Sequence, residues 1–71
     1  MVDHKQIRAA MGLLGWEGKE LAERAGVRPN TVSRAINGGD VLVSTLRKLQ
    51  QALEEGGVEF IPGGVRLRQR E

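Results

Sequence analysis

Glycine cuts this chain at positions 15, 26, 38–39 and 56–57, and the stretches between the cuts carry apolar residues at helical spacing. Such a chain has no room for one long helix or a continuous sheet. It has to fold as several short helices that each hide one face against the others. In "DHKQIRAAMGLLG" Asp3 is placed to cap the backbone and Gln6 stands at the capping-box position, while Ile7, Met11 and Leu14 form an apolar line up to Gly15. Gly12, inside that helix, costs about 1 kcal/mol against alanine, which predicts a close helix contact at its Cα. A second helix is predicted from Gly18 to Ala25, with Leu21, Ala22 and Ala25 inward and Gly26 as its stop. Pro29 opens a third, at the first-turn position where its missing N–H is harmless. Val32, Ala35 and Ile36 give that helix its apolar stripe, and "NGG" at 37–39 ends it. Ser44 is the predicted cap of a fourth helix, with Leu46, Leu49 and Leu53 buried until Gly56 and Gly57.

The last stretch changes period. "VEFIPGGVRLR" alternates apolar and polar residues around a Pro-Gly-Gly turn, the signal of a hairpin. With Gly63 and Gly64 as loop residues, Phe60 falls opposite Leu67 and Glu59 opposite Arg68, both favourable cross-strand pairs.

With 71 residues, the chain is one small domain that buries only about 60% of the surface its unfolded form exposes. It has no cysteine, so neither disulfides nor a thiolate zinc site supplements that core. His4 is the single histidine and reads as a surface residue of the first turn, not a metal ligand. Trp16, just past a helix stop, reads as packing between helices, and nothing in the chain has the pattern of a cofactor-binding motif. An enzyme is not expected, since catalysis needs a base beside a nucleophile, or a metal, within a cleft. The apolar runs are too short to span a bilayer, and "MVDHKQIR" lacks the basic-then-apolar order of a signal peptide, so a cytoplasmic protein is expected.

Net charge is only +2, although the isoelectric point is about 9.7 and arginine outnumbers lysine. What matters is therefore where the positive residues stand. On the third helix Asn30, Ser33, Arg34 and Asn37 recur at i, i+3, i+4 and i+7, which places them on one face opposite Val32, Ala35 and Ile36. A solvated face more often alternates glutamate and lysine, whereas this one carries no acid. Short amides and hydroxyls with one arginine suit close approach to a major groove, where Asn pairs bidentately with adenine and Arg with guanine. "LAERAGV" joins this helix to the one before it through a short turn, with Val27 as an apolar plug, at helix-turn-helix spacing.

At this point "LGWEGKELAERAGVRPNTVSRAINGG" resembles the Cro/CI-type (XRE) helix-turn-helix family, over about residues 4–55. The match lies in Leu21-Ala22 on the second helix, Gly26-Val27 in the turn, Val32-Ser33 on the third, and Asn37-Gly38 after it. The resemblance implies a mainly α fold, a compact four-helix Cro/CI-like domain over residues 1–57. Residues 58–71 would then form a C-terminal hairpin and tail. The implied function is sequence-specific binding of double-stranded DNA by a small repressor-like regulator with no cofactor. The implied base-facing residues are Pro29, Asn30, Ser33 and Arg34, with Gly18, Arg28, Thr31 and Asn37, or the amides after Asn37, on phosphates. Gly18 stands where the family often has glutamine, and Arg28 where it often has a serine or threonine cap. Gly18 therefore has only a backbone N–H for a phosphate, at a positively polarised helix end.

One helix-turn-helix reads only a few base pairs, so a homodimer is expected, with the hairpin residues Val58, Phe60, Ile61, Val65 and Leu67 both packing on the chain's own helices and pairing edge to edge with a second copy as its arm. A DNA-contacting wing carrying Arg66, Arg68 and Arg70 is the rival reading of the same residues, and a solvated tail the third. The alternative function is a protein-interaction module, such as an antitoxin or antiactivator, using the same fold on a protein partner.

Overall fold

The first helix begins where its sequence caps it. In the computed structural model, which describes residues 2–69, the Asp3 carboxylate accepts from Gln6 N–H at 2.9 Å and the Gln6 side-chain oxygen accepts from Asp3 N–H at 3.0 Å. This capping box opens α1 (His4–Leu14). Val2 and Ile7, the two positions a hydrophobic staple uses, are both buried in the core. Gly15, at φ 70°, closes the helix and turns the chain so that Trp16 N–H reaches the Met11 carbonyl. Next come α2 (Gly18–Ala25), α3 (Pro29–Ile36) and α4 (Val43–Gly56), then strands β1 (Val58–Ile61) and β2 (Gly64–Leu67), which pair as an antiparallel hairpin.

Each helix contributes its predicted stripe to one core. Ile7 and Ala10 of α1, Leu21 and Ala22 of α2, Val32 and Ala35 of α3, Leu49 and Leu53 of α4, and Val58 of β1 are all buried. Among the described residues none that is polar or charged is buried, so the core carries no unpaired polar group. Leu14, Trp16, Ala25, Ile36 and Leu46 pack against this centre only partly covered. Trp16 lies across the end of α4 and leaves no space at Gly56, where a Cβ would come within 2.5 Å of the indole. Arg24 covers the ring, its guanidinium carbon 4.4 Å from the centroid.

Three expectations are corrected. The fourth helix starts earlier than Ser44: Leu42 is its N-cap, with its carbonyl accepting from Thr45 and Leu46 N–H, and Ser44 already has helical backbone in the first turn. Gly12 marks no close contact, because a Cβ there would meet nothing within 4 Å. The hairpin register is offset by two residues: Val58 faces Leu67, Glu59 faces Arg66 and Phe60 faces Val65. The turn is Pro62-Gly63, with Gly63 at φ 72°; proline followed by a positive-φ glycine is what a type II turn asks for. An offset of two preserves which side each residue faces, so Val58, Phe60, Val65 and Leu67 still share one side.

The hairpin rests on α1 and α4. Gln6 fixes it there as well as capping α1, since its side-chain amide donates to the Ile61 carbonyl at 2.8 Å and the Gly64 carbonyl at 2.9 Å. Val58, named above for the dimer arm, is fully buried in the chain's own core and is not part of the surface open to a second copy. Leu67 is 53% exposed and Ile61 lies at the surface.

Candidate nucleic-acid interface

The turn between α2 and α3 is short because Gly26 takes a conformation other residues resist. At φ 73° it ends α2, and Val27 N–H closes back on the Ala22 carbonyl at 3.0 Å, which seats the Val27 side chain against the core. Arg28 is the N-cap of α3 in extended backbone, without a side-chain capping bond, and Pro29 fills the first helical position. The Arg28 carbonyl accepts from Thr31 and Val32 N–H and starts the helix. Gly18, at the start of α2, lies over α3: a Cβ there would be 3.6 Å from Val32 Cγ1, so α2 and α3 approach closely at this end.

Val32 and Ala35 anchor the back of α3, and its front is open. Pro29, Asn30, Ser33, Arg34 and Asn37 are exposed, as is Arg28, and Thr31 is half-buried beside them. No side-chain hydrogen bond or ion pair within the described residues engages Arg28, Asn30, Thr31, Ser33, Arg34 or Asn37. The neighbouring α2 surface is different, since Glu20 and Arg24 pair there at 3.0 Å. The structure thus brings the four polar residues of the stripe onto one free face and puts Arg28 at its N-terminal edge, whereas Gly18 packs beside Val32 on the buried side of the helix.

The far end of α3 departs from expectation. Asn37 N–H donates to the Ser33 carbonyl, Gly38 N–H to Ala35 and Gly39 N–H to Arg34 at 2.9 Å, a Schellman closure with Gly38 at φ 80°. Those amides are spent on the helix end and are not free for a phosphate. A phosphate contact at Asn37 therefore has to use its side chain. His4 is half-buried and packs its ring beside Gly38, where a Cβ would lie 3.4 Å from Cε1. Nothing in the local sequence signals this contact, because it joins residues far apart in the chain. The closeness of Gly39 to Arg34 is likewise hidden in the sequence, where the glycine pair signals a helix stop and free amides.

Two short helices joined by a glycine turn, the second with a buried apolar back and an open polar front free of acids, define a helix-turn-helix protein. The Helix-turn-helix family model matches residues 7–60, and the chain belongs to that family, of the Cro/CI (XRE) type. It is accordingly a DNA-binding helix-turn-helix regulator in the general sense of the family. No curated protein matches the chain. Among the described residues no helix is long and apolar enough to cross a membrane.

Proposed function

We propose that the protein is a small transcriptional repressor that inserts α3 into the major groove of its operator and binds as a homodimer. The observation that carries this reading is the front of α3. Asn30, Ser33, Arg34 and Asn37 stand exposed on one face with no partner inside the protein, while Val32 and Ala35 hold the helix from behind. Unpartnered amides, a hydroxyl and a guanidinium are the groups that exchange water for base edges at least cost. Asn30, Ser33 and Arg34 read bases, with Pro29 in apolar contact. Arg28, Thr31, the Asn37 side chain and the Gly18 N–H hold the flanking phosphates. Repression then needs only occupancy of the site. Selection of bound duplexes from a randomised library is the test. One half-site should be enriched, and its binding should fall with salt at a log–log slope of about −0.9 for each phosphate that a basic side chain such as Arg28 neutralises. No enrichment together with a flat salt response would remove the reading.

The dimer rests on the hairpin edge. Arg68 N–H donates to the Gly57 carbonyl at 2.7 Å, and by the alternation of an antiparallel ladder Val65 and Leu67 then turn their own N–H and C=O away from β1. That edge carries the exposed Leu67, so a second copy pairing with it satisfies both the backbone groups and the leucine. A wing is less well supported, because Arg66 is paired with Glu59 and the Arg68 guanidinium with the Glu54 carbonyl; Arg70 lies outside the described residues. Removing everything after Gly56 would confound the test, since it deletes the buried Val58 and the partners of Gln6. Leu67→Asp is cleaner. Light scattering at micromolar concentration should show a dimer for the parent and a monomer for this variant, with the helical circular dichroism unchanged; a monomeric parent refutes the arm.

A further inference from the structure

Two glycines follow α3, and they stand there for different reasons. Gly38 has φ 80°, the left-handed backbone that closes the helix. Gly39 has no such conformation, and its φ is one that alanine tolerates. What excludes a side chain at 39 is Arg34: a Cβ there would lie 2.6 Å from Arg34 Cγ, 3.5 Å from its Cδ and 3.2 Å from its carbonyl oxygen. The aliphatic stem of the arginine lies directly across the bare Cα of Gly39. Meanwhile the Gly39 N–H holds the Arg34 carbonyl at 2.9 Å, so backbone and side chain of one residue are gripped by the backbone of the other. The guanidinium beyond this contact makes no hydrogen bond or ion pair within the described residues.

We infer that Gly39 is a positioning residue for DNA recognition, a seat that fixes the direction in which Arg34 leaves α3. The inference rests on the reading above, in which Arg34 contacts a base. Arginine's long side chain has many rotamers, and a bidentate pair with guanine requires one of them. A seat under the Cβ–Cδ segment removes the competing rotamers before DNA arrives, so less ordering is left to offset binding. Only glycine provides it, because any Cβ at 39 occupies the space where the stem lies. The position is therefore a determinant of specificity without touching DNA.

The test is a double-mutant cycle on the full chain with Gly39→Ala and Arg34→Ala. The probe is a labelled duplex carrying the site that the parent protein selects from a randomised library, together with duplexes in which each base pair is replaced in turn. Gly39→Ala should weaken binding to the selected site by about 2- to 10-fold, the range for forcing a side chain off its rotamer. The loss should disappear on the duplex altered at the base pair that Arg34→Ala relaxes. In the Arg34→Ala background, Gly39→Ala should change affinity less than twofold. Thermal unfolding of each variant reports separately on the fold, and Gly39→Ala and Gly39→Ser should melt close to the parent. Equal losses from Gly39→Ala in both backgrounds, or losses spread over all base pairs, would show that the contact supports the backbone of the loop and overturn the proposal. If Gly39→Ala binds like the parent while Arg34→Ala loses discrimination, the seat is refuted and base reading stands. If Arg34→Ala itself leaves discrimination unchanged, base reading fails and the seat with it.

Discussion

Leu49→Ala should leave the chain without a cooperative unfolding transition. Leu49 sits in the middle of α4 with no exposed surface, in the same core as Ile7, Leu21 and Val58, so it joins helices and hairpin at once. Removing most of its side chain forfeits the transfer energy of the lost carbons and leaves a cavity, together about 2–5 kcal/mol. A domain of this size, held together without a disulfide, has a net stability of only about 3–5 kcal/mol. The two figures overlap, and loss of fold is the outcome. Urea titration followed by circular dichroism checks it: the parent should give a sigmoid, the variant a shallow or absent transition with reduced helicity in buffer. A variant with an unchanged midpoint would mean that Leu49 is not at the centre of the core. Duplex binding should be lost with the fold, although Leu49 is far from any base-facing residue in the chain.

What could be read in the sequence was local. Asp3 and Gln6 announce the start of α1, and Gly15, Gly26 and Pro29 mark ends and starts that the structure places at the same residues, because caps and stops depend on neighbours three to five positions away. The front of α3 was legible for the same reason, since helical spacing alone brings Asn30, Ser33, Arg34 and Asn37 together. The misreadings depended on distant or competing geometry. Ser44 is chemically a good cap, but the chain entering α4 carries the partly buried Val41 and starts its first turn from the Leu42 carbonyl. The two hairpin registers bury the same side, so cross-strand pairs barely distinguish them, and the Pro62-Gly63 turn decides. Nothing near Gln6 in the chain reveals that its amide also holds the hairpin. Glycine is the least legible residue here: Gly12 touches nothing, Gly39 lies under an arginine and Gly56 under a tryptophan.

Arg34→Ala should lower affinity for the selected site by about 1–3 kcal/mol and relax discrimination at one base pair, with stability unchanged. The fold is indifferent because the side chain is exposed and bonds to no other described side chain or carbonyl; its stem lies over Gly39 on the surface. Discrimination is expected because Arg34 lies in the middle of the front, between Asn30 and Asn37, where a helix seated in the groove points at base edges. Arg28 provides the contrast. It carries the same charge but stands at the N-cap, before the helix begins, where a side chain reaches the backbone flanking the groove. Arg28→Ala should therefore weaken binding to the selected and to a scrambled duplex by the same factor and make the salt slope shallower by about 0.9, one phosphate's worth of released counterion. Fluorescence anisotropy on the two duplexes at two salt concentrations separates the cases. Arg34→Ala should change the ratio of the two affinities, whereas Arg28→Ala should keep that ratio and lower both affinities together with the slope. Should Arg34→Ala instead weaken both duplexes alike, its guanidinium is on a phosphate, and base reading has to come from Asn30 and Ser33, whose shorter side chains would require α3 to lie deeper in the groove.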